Sequence, residues 1–187
     1  SPSQVIIIDS DVPINNSLSK FLKSNTEIVI LEPLQDGLQQ IADAVAGQHG
    51  LDSIHIVSHG TEGQINIGNS VLNTQNIATY KDALASIGDA LSDDGDILLY
   101  GCKVANKFGQ EFVELLAQAT GADIAASSDI TGAKTLGGDW DLEVKTGKIE
   151  TNTDFVKEFT KLRSVLSTPS VSDGGSTGYI KDNAAVI

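Results

Sequence analysis

Short runs of β-branched and other apolar residues recur along the chain, and segments with helical apolar spacing separate them. Five such runs occur, at residues 5–9, 27–31, 52–57, 96–100 and 122–126. Continuous apolar runs of this length suit strands buried on both faces, as in a parallel sheet. Strands that alternate with helices imply right-handed crossovers and helices on both faces of the sheet. The sequence therefore predicts an α/β fold with a mostly parallel central sheet.

Helical apolar spacing and turn-forming segments divide the chain further. Helices are predicted around residues 18–22, 34–45, 77–91 and 108–119, and residues 138–144 alternate like an edge or antiparallel strand. Residues 151–166 have room for a short helix, and residues 167–177 read STPSVSDGGST, which is typical of a linker. We therefore expect an α/β domain over residues 1–150 and a helix and linker over residues 151–187 that lead to a following domain.

The charge balance and the sulfur content exclude several classes of protein. There are 12 Lys and Arg against 25 Asp and Glu, a net charge of −13, which argues against nucleic acid and anionic lipid as partners. No apolar run approaches the roughly 18 residues that insert in a membrane. A single cysteine excludes an internal disulfide framework. The absence of Met suits an oxidising exterior, and we expect a secreted or cell-surface location within a larger protein.

Two apolar strands end in reactive side chains next to glycine. The third run ends in Ser58-His59-Gly60 and the fourth in Gly101-Cys102. Successive parallel strands are often neighbours, so His59 and Cys102 are predicted to lie within a few Å of each other. An imidazole beside a thiol promotes thiolate formation, and the N–H groups of Gly60 and Cys102 are candidates for an oxyanion hole. The alternative is a buried structural cysteine with a capped surface histidine.

This pair of strand ends resembles the caspase-like cysteine peptidases of clan CD, which include gingipains, legumain and the self-cleaving domains of bacterial toxins. The resemblance implies a three-layer sandwich in which His59 is the general base or acid and Cys102 the nucleophile. The chain departs from the caspase motif Gln-Ala-Cys-Arg-Gly, since Cys102 follows Tyr-Gly and precedes Lys-Val.

The sequence also resembles a domain of unassigned function near the start of giant bacterial adhesins with RTX or cadherin-like repeats. This second resemblance implies either self-processing of a large secreted surface protein or a non-catalytic adhesin module. Such a module would keep the fold for secretion, for retention at the cell surface or for calcium-stabilised binding.

The loop after the fifth run supplies candidate substrate-binding residues, Ser127 and Asp129. In the resembling fold this region borders the pocket for the residue before the scissile bond. An acid there favours Arg or Lys, which makes the bond after Arg163 a candidate for self-cleavage. An apolar pocket would favour the bond after Leu166, and Asp129 is otherwise a turn residue.

Metal binding is the last question that the sequence raises. His55 and His59 have the spacing His-x-x-x-His, but on a strand their rings stand about 13 Å apart, so no shared metal is expected. The acidic stretches Asp93-Asp94-Gly95-Asp96 and Asp139-Trp140-Asp141 have carboxylates suited to calcium but lack EF-hand spacing. Both stretches are therefore predicted to be solvated turns, with calcium binding as the alternative. No cofactor is required by this interpretation, and calcium is left open.

Overall fold

The computed structural model describes residues 2–13 and 24–153 and shows an α/β fold with a mostly parallel central sheet, as the sequence predicts. The strands are β1 (Gln4–Ile8), β2 (Thr26–Ile30), β3 (Leu51–Val57), β4 (His59–Thr61), β5 (Gln64–Ile67), β6 (Ser70–Asn73), β7 (Leu91–Tyr100), β8 (Asp123–Ala126) and β9 (Val144–Lys145). The helices are α1 (Gly37–Val45), α2 (Lys81–Ala90) and α3 (Gly109–Thr120), with 3₁₀ turns at Ile77–Tyr80 and Lys134–Leu136.

The central sheet has six strands in the order β2-β1-β3-β7-β8-β9. The first five run parallel, and β9 pairs with β8 in the antiparallel sense. The alternating segment 138–144 was predicted as a strand, but only its last residue enters β9. The reason is that Asp139 exchanges backbone hydrogen bonds with the loop residues Ile130 and Gly132 instead of pairing with β8.

Side chains alternate across this sheet into two buried layers. One layer holds Val5 and Ile7 with the apolar faces of α1, α2 and α3. On the opposite face Ile6 and Ile8 pack in a smaller cluster, against which Trp140 also packs. The sheet is therefore the middle layer of the fold. The helix predicted around residues 18–22 lies outside the described residues. So does the helix predicted within residues 151–166, apart from residues 151–153.

A second, small sheet follows directly after β3. Its strands β4, β5 and β6 form an antiparallel meander over residues 59–73. Gly68 keeps a positive φ of 57° where this sheet meets the start of α1, and a Cβ there would overlap the backbone oxygen of Gln35. The meander is thus held against the first turn of α1, and it fixes the position of the residues that begin β4.

His55 lies in the middle of β3, fully buried on the smaller core face. Its ring stacks on Tyr100 at 6.1 Å between centroids, and its Nε2 lies 3.0 Å from the hydroxyl of Ser53. The prediction that His55 packs within a strand is therefore confirmed. Burial lowers the pKa of His55 to about 3, so the folded protein holds a neutral imidazole across the physiological range.

This buried imidazole makes stability depend on pH. An unfolded histidine with a pKa of about 6.5 takes up a proton as the pH falls, whereas folded His55 does not until about pH 3. We expect His55 alone to lower the free energy of unfolding by about 2 kcal/mol between pH 7.5 and 5. Urea unfolding at both pH values measures this effect. The free energy of unfolding of His55→Gln should fall by about 2 kcal/mol less than that of the wild type over this pH range. An equal loss in both proteins would contradict the prediction.

Candidate active site

Three neighbouring strands of the central sheet end at the same edge, and each is followed by a polar or reactive side chain. Ile8 of β1, Val57 of β3 and Tyr100 of β7 are in register. The strands then lead to Asp9, His59 and Cys102. The ladder continues one step further, since Asp9 N–H donates to the oxygen of Val57 (2.9 Å) and Ser58 N–H to that of Tyr100 (3.1 Å). His59 and Cys102 therefore stand at equivalent positions, two residues beyond paired residues of adjacent strands.

The backbones beside His59 and Cys102 are in direct contact. A Cβ on Gly101 would lie 3.5 Å from the Cα of Gly60 and 3.1 Å from the oxygen of Ser58. A Cβ on Gly60 would lie 3.3 Å from the carbonyl carbon of Gly101. These two glycines let the strand ends approach closely, and His59 and Cys102 are the residues next to them in the chain.

His59 is buried at the start of β4, with 4% of its surface exposed. Its Nε2 lies 3.3 Å from the backbone oxygen of Asp11. A carbonyl oxygen only accepts hydrogen bonds, so this contact places a proton on Nε2. The segment after β1 thus holds the ring of His59 in place.

Asp9 is an acid of this site that the sequence analysis did not assign. Its carboxylate is 3% exposed and accepts hydrogen bonds from the N–H groups of Gly68 (2.7 Å) and Asp11 (3.2 Å). Burial raises the pKa of Asp9, and these two hydrogen bonds and the attraction of His59 oppose that rise. The sequence signal was its place directly after a buried strand, at the edge where His59 and Cys102 also lie.

Cys102 is enclosed in the smaller core cluster, with 2% of its surface exposed. Its thiol donates a hydrogen bond to the backbone oxygen of Thr131 at 3.3 Å. A carbonyl oxygen only accepts hydrogen bonds, so this contact directs the thiol hydrogen toward Thr131. The burial agrees with the structural interpretation of this residue, and the hydrogen bond ties the thiol to the segment after β8.

The backbone after Cys102 turns sharply toward the loop that follows β8. Lys103 has a φ of 57°, in the left-handed region that non-glycine residues rarely adopt. Lys103 N–H then donates to the oxygen of Asp129 (2.6 Å), and Ala105 N–H donates to that of Ser127 (2.9 Å). The loop that carries Cys102 is therefore fastened to the predicted substrate-binding loop.

Ser127 and Asp129 occupy different surroundings within that loop. Ser127 is fully buried, and its hydroxyl donates to the carboxylate of Asp129 at 3.2 Å. Asp129 is exposed, and one oxygen each of Asp129, Asp139 and Glu143 lie within 4.8 Å of one another. Burial raises the pKa of Asp129, and the nearby negative charges, first Glu143 and Asp139, raise it further. The edge of the sheet next to Cys102 therefore carries a concentrated negative charge.

Comparison with known proteins places the chain in a family. The model of a domain family of unknown function, DUF4347, matches residues 5–163. The chain belongs to this family. No curated protein matches it.

Among solved structures, this DUF4347 chain is similar to one described as the crystal structure of a small-chain dehydrogenase. The two share 10% sequence identity at a TM-score of 0.33, over 63% of this chain and 76% of that one. A likeness at this level carries no argument about function. Within the described part of the chain, no helix has the length and apolar character needed to cross a membrane.

The cleavage positions, the catalytic roles and the domain boundary expected from the sequence remain predictions. The candidate cleavage positions Arg163 and Leu166 lie outside the described residues. The roles of His59 and Cys102 in catalysis, and of the Gly60 and Cys102 N–H groups as an oxyanion hole, rest on the positions given above. The boundary near residue 150 also stays a prediction.

Proposed function

We propose that this domain is a cysteine endopeptidase that uses Cys102 and His59. The observation that carries the proposal is their placement at equivalent positions beyond neighbouring strands, with the intervening glycine backbones in contact. Active sites of parallel sheets lie beyond the carboxyl ends of the strands. The likeness of both strand ends to the caspase-like peptidases supports the same assignment.

The proposed reaction begins when the Cys102 thiol gives its proton to His59. The thiolate attacks the scissile carbonyl carbon, and the N–H groups of Gly60 and Cys102 stabilise the oxyanion that forms. The C–N bond then breaks, and His59 returns the proton to the departing amine. Water hydrolyses the remaining thioester, which releases the new carboxyl terminus and restores the thiol.

Asp9 acts in this scheme as a positioning residue. It lies on the segment whose Asp11 oxygen holds the His59 ring, and its carboxylate fixes that segment through the Asp11 N–H. Its negative charge attracts the imidazolium that forms when His59 takes up a proton. The orienting group is therefore partly the backbone of Asp11 and partly the carboxylate of Asp9.

The thiol must be released before this reaction can occur. In the conformation described here, Cys102 donates to Thr131 and is shielded from solvent. Peptide entry therefore requires the segment around Thr131 to move, which breaks this hydrogen bond and exposes the sulfur. On this proposal, the conformation described here is the resting one.

The substrate proposed for this site is a basic residue in the protein's own chain. Asp129 stands with Asp139, Asp141 and Glu143, and their mutual repulsion is relieved by a guanidinium or ammonium group. The bond after Arg163 is the first candidate for cleavage, and the bond after Leu166 is the alternative if the pocket is apolar. A tethered segment reaches the site at millimolar effective concentration, which favours self-processing of a larger secreted or surface protein.

The mass of the intact chain over time tests this proposal. We expect the wild-type chain to accumulate two fragments whose masses identify the bond after Arg163, whereas Cys102→Ala stays intact. Fragments from the bond after Leu166 would assign an apolar pocket instead. If the wild-type chain stays intact and a thiol-reactive peptide probe ending in Arg does not label Cys102, the peptidase assignment is wrong.

The burial of Cys102 favours one second candidate, a non-catalytic surface module that keeps the fold for secretion, retention or binding. In that case the thiol is a small core residue and His59 a structural partner of Asp11. Labelling with a thiol-reactive peptide probe separates the two functions, because the buried thiol reacts only if the segment around Thr131 moves to admit a peptide. A folded wild-type chain that labels with no probe would support the module.

A further inference from the structure

The opposite edge of the sheet carries a second acidic cluster, far along the strands from Cys102. Asp96 of β7 and Asp123 of β8 are direct partners in the parallel register. Like charges on paired residues of neighbouring strands destabilise a sheet, so such a pair needs compensation. One oxygen each of Asp96, Asp123 and Glu150 lie within 4.8 Å of one another. Carboxylate oxygens gathered in this way can share one hard cation.

Asp96 is the buried member of this cluster, with none of its surface exposed. Its Oδ2 accepts three hydrogen bonds, from Glu150 N–H (2.9 Å), Thr151 N–H (2.8 Å) and the Thr151 hydroxyl (2.6 Å). Its Oδ1 is equally buried and accepts no hydrogen bond from any residue of the described chain. A buried carboxylate oxygen without a donor is costly, and a cation removes that cost.

The loop between β9 and Glu150 closes over the second carboxylate. Thr146 pairs with Ile124 through its backbone N–H (3.0 Å), and its hydroxyl accepts from Ile124 N–H (2.9 Å). This places Gly147 against the carboxylate of Asp123, where a Cβ would overlap the carboxylate atoms. Only a residue without a side chain can approach the Asp123 carboxylate this closely, so Gly147 lets the loop pack against the cluster.

A cationic side chain already occupies the rim of the cluster. The Lys148 ammonium lies 2.8 Å from Oε1 of Glu150, but 84% of the Lys148 side chain is exposed. The hydrogen bond to Glu150 raises the pKa of Lys148, and Asp94 and Asp96 add to that rise. Because this ammonium is on the surface, a divalent ion can displace it at little cost.

We propose that Asp96, Asp123 and Glu150 form a calcium site at this edge of the sheet. The donors are all carboxylate oxygens, which hard cations prefer, and the group contains no His or Cys that would favour zinc. Calcium accepts irregular oxygen sets, whereas magnesium requires near-octahedral geometry. The ion joins β7, β8 and the segment at Glu150, and so fastens the residues that lead out of the sheet. The site is independent of the proposed peptidase function.

Calcium titration of the chelator-treated full chain tests the site, by calorimetry and by thermal unfolding. With calcium about a hundredfold above Kd, we expect the midpoint of unfolding to rise by roughly 5–10 °C. Asp123→Asn and Glu150→Gln should each weaken calcium binding at least about tenfold. Both residues lie nearer the surface than Asp96, whose three hydrogen bonds make its own replacement a poor probe. Lys148→Gln should strengthen binding roughly two- to fivefold, because it removes the competing ammonium.

The acidic cluster beside Cys102 provides charge-matched controls. Asp139→Asn and Glu143→Gln remove the same charges from exposed carboxylates elsewhere and should leave the calcium response unchanged. The proposal is overturned if the wild-type chain shows neither heat nor a shift of the midpoint. It is also overturned if the control variants lose the response while Asp123→Asn keeps it, or if magnesium at the same concentration gives an equal response.

Discussion

Replacement of Cys102 or of His59 by alanine is expected to slow self-cleavage by at least roughly 10³-fold, and the double variant should be no slower than the worse single variant. The two side chains act as one unit, because the thiol reacts only after it has transferred its proton to the imidazole. Removing either therefore removes the same step. Rates of fragment formation from intact-mass measurements give all three values on one scale.

His49 and Asp9 provide the comparisons for this series. His49 is exposed, its ring contacts the backbone oxygen of Asp89, and His49→Ala should cleave at the wild-type rate. Asp9→Asn keeps the size of a positioning side chain but removes its charge, so a loss of roughly 10- to 100-fold and a shifted pH–rate profile are expected. Self-cleavage by His59→Ala at the wild-type rate, in a folded protein, would remove His59 from the mechanism.

The main sheet could be predicted from the sequence because its signal is local. Each parallel strand is buried on both faces, so runs such as Val5–Ile8 are continuous and apolar. The ends of those runs then identify the edge of the sheet where His59 and Cys102 lie. The prediction assumed that strands which follow each other in the sequence are neighbours in the sheet. This holds for β3 and β7 because the three strands between them in the chain, β4 to β6, form a separate sheet.

That meander was not predicted, and the reason lies in its residues. Its strands have three or four residues each and contain Gly60, Gln64 and Asn66, which have weak strand propensity. The alternation of Ile65 and Ile67 with polar residues is too short to distinguish a strand from a loop. The meander is stabilised by burial of these two side chains in the main core, a long-range contact that no local pattern contains.

Long-range contacts also account for the site residues that sequence reasoning missed. Asp9 becomes part of the site through Gly68, which lies in the meander. Asp96 and Asp123 come together through strand register, and Glu150 through backbone hydrogen bonds to Asp96. Only the Asp96 part of this cluster had been considered for calcium, because Asp123 and Glu150 have no acidic neighbours in sequence. The hydrogen bond from Cys102 to Thr131 is likewise a tertiary contact.

Gly88→Ala is expected to destabilise the fold strongly, although it adds a single methyl group. Alanine at an exposed helix position normally stabilises by about 1 kcal/mol relative to glycine. At Gly88 of α2, however, a Cβ would overlap the backbone oxygen of Thr120, the last residue of α3. A backbone atom at a helix end cannot rotate away, so α2 and α3 must separate. We expect a net loss of about 3 kcal/mol, and a midpoint of unfolding lower by roughly 6–12 °C.

Gly47→Ala distinguishes this overlap from the ordinary cost of replacing glycine. Gly47 has a positive φ of 74° and no atom within 4 Å of a Cβ built there. Its replacement therefore costs only the left-handed conformation, about 1–2 kcal/mol. If Gly88→Ala unfolds at the same denaturant concentration as the wild type, α2 and α3 do not meet through backbone atoms at this point. A loss at Gly88 that clearly exceeds the loss at Gly47 would instead show that α2 and α3 approach each other through backbone atoms here, because Gly47 has the cost of replacing glycine without the overlap.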